Sequence, residues 1–353
     1  MAPFYLSSGL FLGWSLGAND AANVFGTAVG TKMVRFRTAA LITTVFVIFG
    51  AVISGAGATK TLTNLGAVDV IAGSFMVAAA SAFTVFWMSR LKVPVSTSQA
   101  IVGGIVGWNV YTGTSTDSGV LTKIVLTWML CPLLAGVFAI VLFILFKRFF
   151  NNVRIHLLRL DLYTRVGLIF VGAFSAYSLG ANNIANVMGV FVPVSPFQDY
   201  DVLGYFTVSG AQQLFLIGAI AIGVGVFTYS HRVMQTVGSS LFKLSPEAAL
   251  VVVLSHALVL FLFASQTLAN WLTSHGLPAI PLVPVSSTQA VIGAILGIGV
   301  YKGATGIHYG VLGEIALGWV TTPVVAGVIT FVSLFFLENV FNQEVSQQVT
   351  HAF

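Results

Sequence analysis

Apolar stretches of some 20 residues recur along the whole chain, each bounded by a short polar or basic patch. A helix rises about 1.5 Å per residue, so about 20 apolar residues cross about 30 Å of hydrocarbon. The pattern predicts ten crossings, at roughly 5–30, 38–57, 69–89, 93–111, 119–147, 166–193, 210–229, 247–271, 283–301 and 310–337. Interrupted segments can instead be re-entrant hairpins, which puts the count at about 10–12. Backbone groups in lipid must be satisfied within each segment, so the expected fold is an all-α polytopic membrane protein. The first segment has no basic n-region or Ala-x-Ala site, which argues against a removable signal peptide.

Polar residues break this pattern in duplicate. Ser15-Leu-Gly-Ala-Asn-Asp-Ala-Ala-Asn-Val24 is repeated as Ser178-Leu-Gly-Ala-Asn-Asn-Ile-Ala-Asn-Val187. Val93-Pro-Val-Ser-Thr-Ser-Gln-Ala-Ile-Val-Gly103 returns as Val283-Pro-Val-Ser-Ser-Thr-Gln-Ala-Val-Ile-Gly293. Trp128 with Pro132 and Gly136 returns as Trp319 with Pro323 and Gly327. The order of blocks is the same in both halves. Five crossings per half is an odd number, so the second half is expected to run inverted. The expected organisation is a first transmembrane repeat at 1–146, an amphipathic inner-surface linker at 147–165, a second repeat at 166–338 and a short external tail at 339–353. Inverted repeats of this kind are the architecture of secondary active transporters.

Composition supports the membrane assignment. The chain is 57% hydrophobic and 7% charged, against about a quarter charged in soluble domains. The net charge of +5 does not point to nucleic acid, because the basic residues are scattered among short loops. With the N-terminus outside, inner loops hold Lys32, Arg35, Arg37, Arg90, Lys92, Lys147, Arg148, Arg154, Arg159, Arg165, Arg232, Lys243 and Lys302. Only Lys60 and Lys123 fall outside, so thirteen of the 15 basic residues obey the positive-inside rule, and both termini come out external. The single cysteine, Cys131, cannot form an internal disulfide and suits packing.

The duplicated motifs hold the candidate chemistry. Asn19 and Asn23 are four apart, as are Asn182 and Asn186, so each pair shares a helix face. Gly17 and Gly180 allow the backbone to open or another helix to approach. Asp20, whose counterpart is Asn183, is the only acid deep inside a crossing. No Lys or Arg lies mid-segment, so a cation or a proton must neutralise it. Pro94 and Pro284 stop helices, and the Ser/Thr runs after them resemble N-caps offering hydroxyls and amide N–H groups to an oxyanion. The oxyanion set is therefore Asn23, Asn186, Ser96, Thr97, Ser98, Ser286, Ser287 and Thr288. The cation set is Asn19, Asp20, Asn182, Asn183, Gln99 and Gln289. Plain helix stitching and plain capping remain alternatives for single copies. His256, the one histidine inside a crossing, fits either helix packing or a proton relay.

Gly17-Ala-Asn-Asp-Ala-Ala-Asn23 with Phe25-Gly-Thr-Ala-Val-Gly30, its second copy, and both Val-Pro-Val-Ser blocks resemble the inorganic phosphate transporter (PiT) family. The resemblance covers nearly the whole chain. It implies a plasma-membrane phosphate symporter driven by sodium or by protons, a dimer, and a transport unit moving against a scaffold in elevator fashion. Metal–phosphate complexes are carried by some members, and one relative class carries sulfate. This chain departs from the pattern at Asn183, where many relatives have aspartate, and at Val47, where many have glutamate. Sodium is preferred for the richness of neutral oxygen ligands, and its expected site is Asp20, Asn19 and Asn183. No cofactor beyond the coupling ion is expected. A passive anion channel is the competing transport mode. An intramembrane phosphatase would need a basic clamp that the motifs lack. The run Gly26-Thr-Ala-Val-Gly-Thr-Lys32 has the wrong spacing for a phosphate-binding loop, and no strand precedes it. The chain is therefore not expected to be an enzyme.

Overall fold

A computed structural model describes residues 2–66, 68–91, 95–152, 156–202, 204–231, 233–234, 244–304 and 309–347. Lys92, Val93, Pro94, Arg154, Ile155, Arg232 and Lys243, on which sequence expectations fell, lie outside the described residues. Twelve helices are described: α1 (Ala2–Gly30), α2 (Phe36–Ser54), α3 (Ala56–Leu65), α4 (Ile71–Arg90), α5 (Thr97–Thr112), α6 (Ser118–Asn152), α7 (Leu157–Met188), α8 (Gly210–Thr228), α9 (Pro246–Ala264), α10 (Gln266–Ser274), α11 (Ser287–Tyr301) and α12 (Tyr309–Asn339).

Seven of these, α2, α4, α6, α7, α8, α9 and α12, are long and apolar enough to cross a membrane. The chain is an integral membrane protein. α1 has the length, but its polar motif dilutes its hydropathy. The crossings expected at 93–111 and 283–301 are shorter helices, α5 with 16 residues and α11 with 15. They rise only about 24 and 22 Å, less than the hydrocarbon thickness. α6 and α12 turn rows such as Leu126, Met129, Leu133 and Val137, or Leu317, Val320, Val324 and Val328, outward at helical spacing. Such rows suit contact with lipid.

Four expectations change. The crossing at 38–57 ends at Ser54, and α3 follows after Gly55. The crossing at 247–271 breaks at Ser265, whose hydroxyl accepts from Leu268 N at 3.2 Å and so starts α10. A new cap outcompetes helix continuation at that point. The segment 147–165 is no separate helix: α6 runs through Lys147 to Asn152, and α7 starts at Leu157. Finally, the connection after α7 contains a small hairpin, β1 (Tyr200–Val202) and β2 (Phe206–Val208), antiparallel with Tyr200 opposite Val208. Gly204, at φ 74°, supplies the left-handed residue that its tight turn needs.

Packing between the halves is reciprocal. The carbonyl of Pro323 in α12 lies where a side chain on Gly103 of α5 would be, and that of Pro132 in α6 does the same at Gly293 of α11. Gly17 of α1 meets Ile222 of α8 in this manner, while Gly180 of α7 meets Val47 of α2. A methyl group at any of these glycines would overlap a backbone oxygen. The tail past α12 folds back over other helices. Tyr5 donates to Gln343 Oε1 (2.9 Å), Trp108 Nε1 to the Val345 carbonyl (3.0 Å) and Gln347 N to Asp69 Oδ2 (3.1 Å).

Candidate functional site

α1 and α7 pass through their polar motifs as unbroken helices. Gly17 and Gly180 therefore do not open the backbone. They permit the close helix contacts described above, and those contacts hold the asparagines in register.

Short helices α5 and α11 bring their N-terminal ends to these asparagines. Ser96 caps α5 by accepting from Gln99 N (3.3 Å), and Ser286 caps α11 by accepting from Gln289 N (3.2 Å). The two capped ends bond to each other. Ser98 Oγ donates to the Val285 carbonyl at 2.8 Å, and Thr288 Oγ1 donates to the Val95 carbonyl at 3.4 Å. Ser98 and Thr288 occupy equivalent motif positions, as do Val95 and Val285.

One asparagine of each pair reaches across to the capped end of the other half. Asn23 Nδ2 donates to Ser287 Oγ (3.0 Å) and Thr288 Oγ1 (3.3 Å). Asn186 Nδ2 donates to Ser98 Oγ (2.8 Å) and to Asn183 Oδ1 (3.1 Å). Asn182 clamps the extended chain before α11, donating to the Val283 carbonyl (3.0 Å) and accepting from Val285 N (2.8 Å). Thus Asn23, Asn182, Asn183, Asn186, Ser96, Ser98, Ser286, Ser287 and Thr288 form one connected region. Several polar atoms of this region and of the helix ends beside it are buried without a hydrogen-bond partner among the described residues: Asn183 Nδ2, Asn186 Oδ1, Thr97 Oγ1, Gln99 Oε1 and Gln289 Oε1. Buried polar atoms are nearly always paired in proteins, so these mark a place for polar guests.

Asp20 is 3% exposed, and its described side-chain bond is from Asn19 Nδ2 at 3.2 Å. No hydrogen bond joins Asp20 to Asn183 among the described residues. The sole ion pair among them is the exposed Arg165–Asp161 contact at 2.7 Å, so Asp20 has no basic partner among the described residues. Without one, a carboxylate at that depth must be neutralised by a bound cation or a proton. Asn19 also lines a narrow cleft of about 20 Å³ between α1 and α4, with Trp14, Ser15, Phe86 and Ser89. That is room for about one water. The larger hollows, beside α5, α6 and α12 and beside α1, α4 and α12, are lined mostly by apolar side chains; the first reaches Gly103, Trp128, Pro323 and Gly327 of the duplicated blocks, and neither is lined by the asparagines or the Ser/Thr caps.

Sequence reasoning left His256 undecided and passed over Ser175. His256 Nδ1 lies 2.7 Å from Ser175 Oγ, and Nε2 lies 2.9 Å from Ser287 Oγ. Ser175 sits seven residues before Asn182 and eleven before Asn186, on the same face of α7. That phase was the available signal. The carbonyls of Val95 and Val285 carried no signal at all, because any residue supplies one.

Chemically, the region combines two helix N-termini, which favour anions, with neutral amides, hydroxyls and one carboxylate. A family model described as "Phosphate transporter family" matches residues 16–330 and 279–352. A protein of Methanocaldococcus jannaschii named "Putative phosphate permease" is 29% identical over 330 residues, covering 93% of each chain. A Pyrococcus abyssi protein of the same description is 26% identical, covering 91% of this chain and 94% of its own. A solved structure, "The sodium-dependent phosphate transporter", superposes with a TM-score of 0.72 at 24% identity, covering 95% of this chain and 99% of its own.

Proposed function

The chain belongs to the phosphate transporter family, and from that premise we propose that it imports inorganic phosphate by sodium-coupled symport through alternating access. The observation that carries this reading is the meeting of two capped helix ends with asparagines from both halves, together with a buried carboxylate that has no basic partner among the described residues. Phosphate is held by Asn23, Asn186 and the hydroxyls of Ser96, Thr97, Ser98, Ser286, Ser287 and Thr288. Their donors and the helix ends replace its hydration shell. Sodium sits at Asp20 with Asn19 and Asn183, and Asn182, Gln99 and Gln289 complete the oxygen-rich cation region. Oxygen donors suit a hard cation.

Coupling follows from charge. A bare Asp20 repels the oxyanion, whereas a sodium ion beside it attracts one, so each ligand raises the affinity for the other. The name of the solved relative supports sodium. Reciprocal glycine contacts support two inverted halves, 1–146 and 166–338, joined through 147–165, with a short external tail at 339–353. The chain works as a homodimer in the plasma membrane, termini outside, with an elevator-like transport unit. No cofactor takes part.

Purified protein in liposomes, given radiolabelled phosphate, should accumulate it under an imposed sodium gradient and not under an imposed pH gradient alone. Accumulation under the pH gradient alone reassigns the coupling ion to the proton. Equilibration with neither gradient defeats symport in favour of a channel.

A further inference from the structure

Ser287 joins two groups that belong to different helices: it accepts from Asn23 of α1 and contacts His256 of α9. We propose that His256 is a positioning residue that commits the Ser287 hydroxyl to donating toward the bound oxyanion, with Ser175 deciding which ring nitrogen carries the proton. The role rests on the reading that phosphate sits at Ser287.

The network assigns its own hydrogens. A neutral imidazole has one donor and one acceptor nitrogen. Ser178 and Ser255 spend their hydroxyl protons on carbonyls four residues back, at 2.9 and 2.8 Å. Ser175 makes no such bond among the described residues, and its partner is His256 Nδ1 at 2.7 Å. Its proton therefore goes to Nδ1, which makes Nδ1 the acceptor. Nε2 then holds the ring proton and donates to Ser287 Oγ.

Ser287 Oγ consequently accepts twice, from Asn23 Nδ2 and from His256 Nε2. A hydroxyl has two acceptor lone pairs and one proton. With both lone pairs filled, only the proton is left to offer. Such a group welcomes an oxyanion and has nothing to give a cation. The opposite tautomer reverses this: Ser287 would donate to Nε2 and face the site with a lone pair. One ring proton thus decides whether the position reads charge as negative or positive. His256 is 0% exposed, so water does not scramble the choice. Thr97, the motif counterpart of Ser287, has no such anchor, and its hydroxyl is unpartnered among the described residues.

The test starts with Ser175→Ala, which removes the proton that fixes Nδ1 and leaves Ser287 itself intact. Expected is a rise of about tenfold in phosphate KM, larger than any fall in kcat, as for loss of a hydrogen bond to a charged group. The same change in a Ser287→Ala background should add nothing. His256→Leu should match the loss, and His256→Gln, whose amide nitrogen can donate in place of Nε2, should recover most of it. Nitrogen-15 spectra of histidine-labelled protein, with His256 identified by its absence in His256→Gln, should show the Nε2–H tautomer. An Nδ1–H signal overturns the proposal, as does an unchanged KM in Ser175→Ala or an undiminished effect without Ser287. Absence of phosphate uptake by the unaltered protein would instead sink the functional reading, and the nitrogen spectrum would still decide the tautomer.

Discussion

Asn23 and Asn186 hold equivalent places in the two halves and use their amides differently. Asn23 gives its amide to two hydroxyls at the tip of α11, Ser287 and Thr288. Asn186 gives one bond to Ser98 at the tip of α5 and keeps the other within α7, on Asn183. The neighbour differs as well, since Asp20 stands in one motif where Asn183 stands in the other. Duplication supplies the frame: crossed helices, paired glycines, capped ends. Single-residue differences supply charge and polarity, and the two half-sites are chemically unequal because of them.

The comparison breaks most severely if the frame is removed. Gly180→Leu or Gly293→Leu drives a side chain into the carbonyl of Val47 or Pro132. Misfolding is expected, with a cost of about 3 kcal/mol, the upper end for overpacking, read as loss of the monodisperse peak in detergent. A folded, active Gly293→Leu protein would show that the contact is not required. Next comes Asp20→Asn, which makes the motifs alike in charge. The protein should fold, because an amide replaces an uncompensated buried acid, while sodium-driven uptake falls about a hundredfold or more. Uptake that keeps its sodium dependence in this variant would remove Asp20 from the coupling site. The smallest effect separates the half-sites: Asn23→Ala should raise phosphate KM about tenfold and Asn186→Ala by less, since part of the Asn186 amide serves its own helix. Equal shifts would mean that the hydrogen-bond difference has no bearing on binding.

Much of the fold was readable in the sequence, for identifiable reasons. Apolar run length is set by bilayer thickness, so α4, α6, α8 and α12 fell close to their expected limits. The Ser/Thr runs after proline marked the caps at Ser96 and Ser286 because capping is a local rule. The breaks at Gly55 and Ser265 were hidden, since neither residue alone ends a helix and tertiary packing decides. The tip-to-tip bonds between Ser98 and Val285, and between Thr288 and Val95, depend on backbone carbonyls, which leave no trace in residue identity. His256 stood out as polar among apolar neighbours, but its partners Ser175 and Ser287 come from other helices and could be named only once the helices were packed.

The exchange of glycine contacts between halves bears on how the chain is made. When the first 146 residues have left the ribosome, the carbonyls of Ile222 and Pro323 that fill the notches at Gly17 and Gly103 do not yet exist. The early helices must wait in the bilayer with those notches open, and the nascent protein gains its mature core only after α12 has been synthesised. Separately expressed halves should therefore fail alone and recover when produced together in one cell.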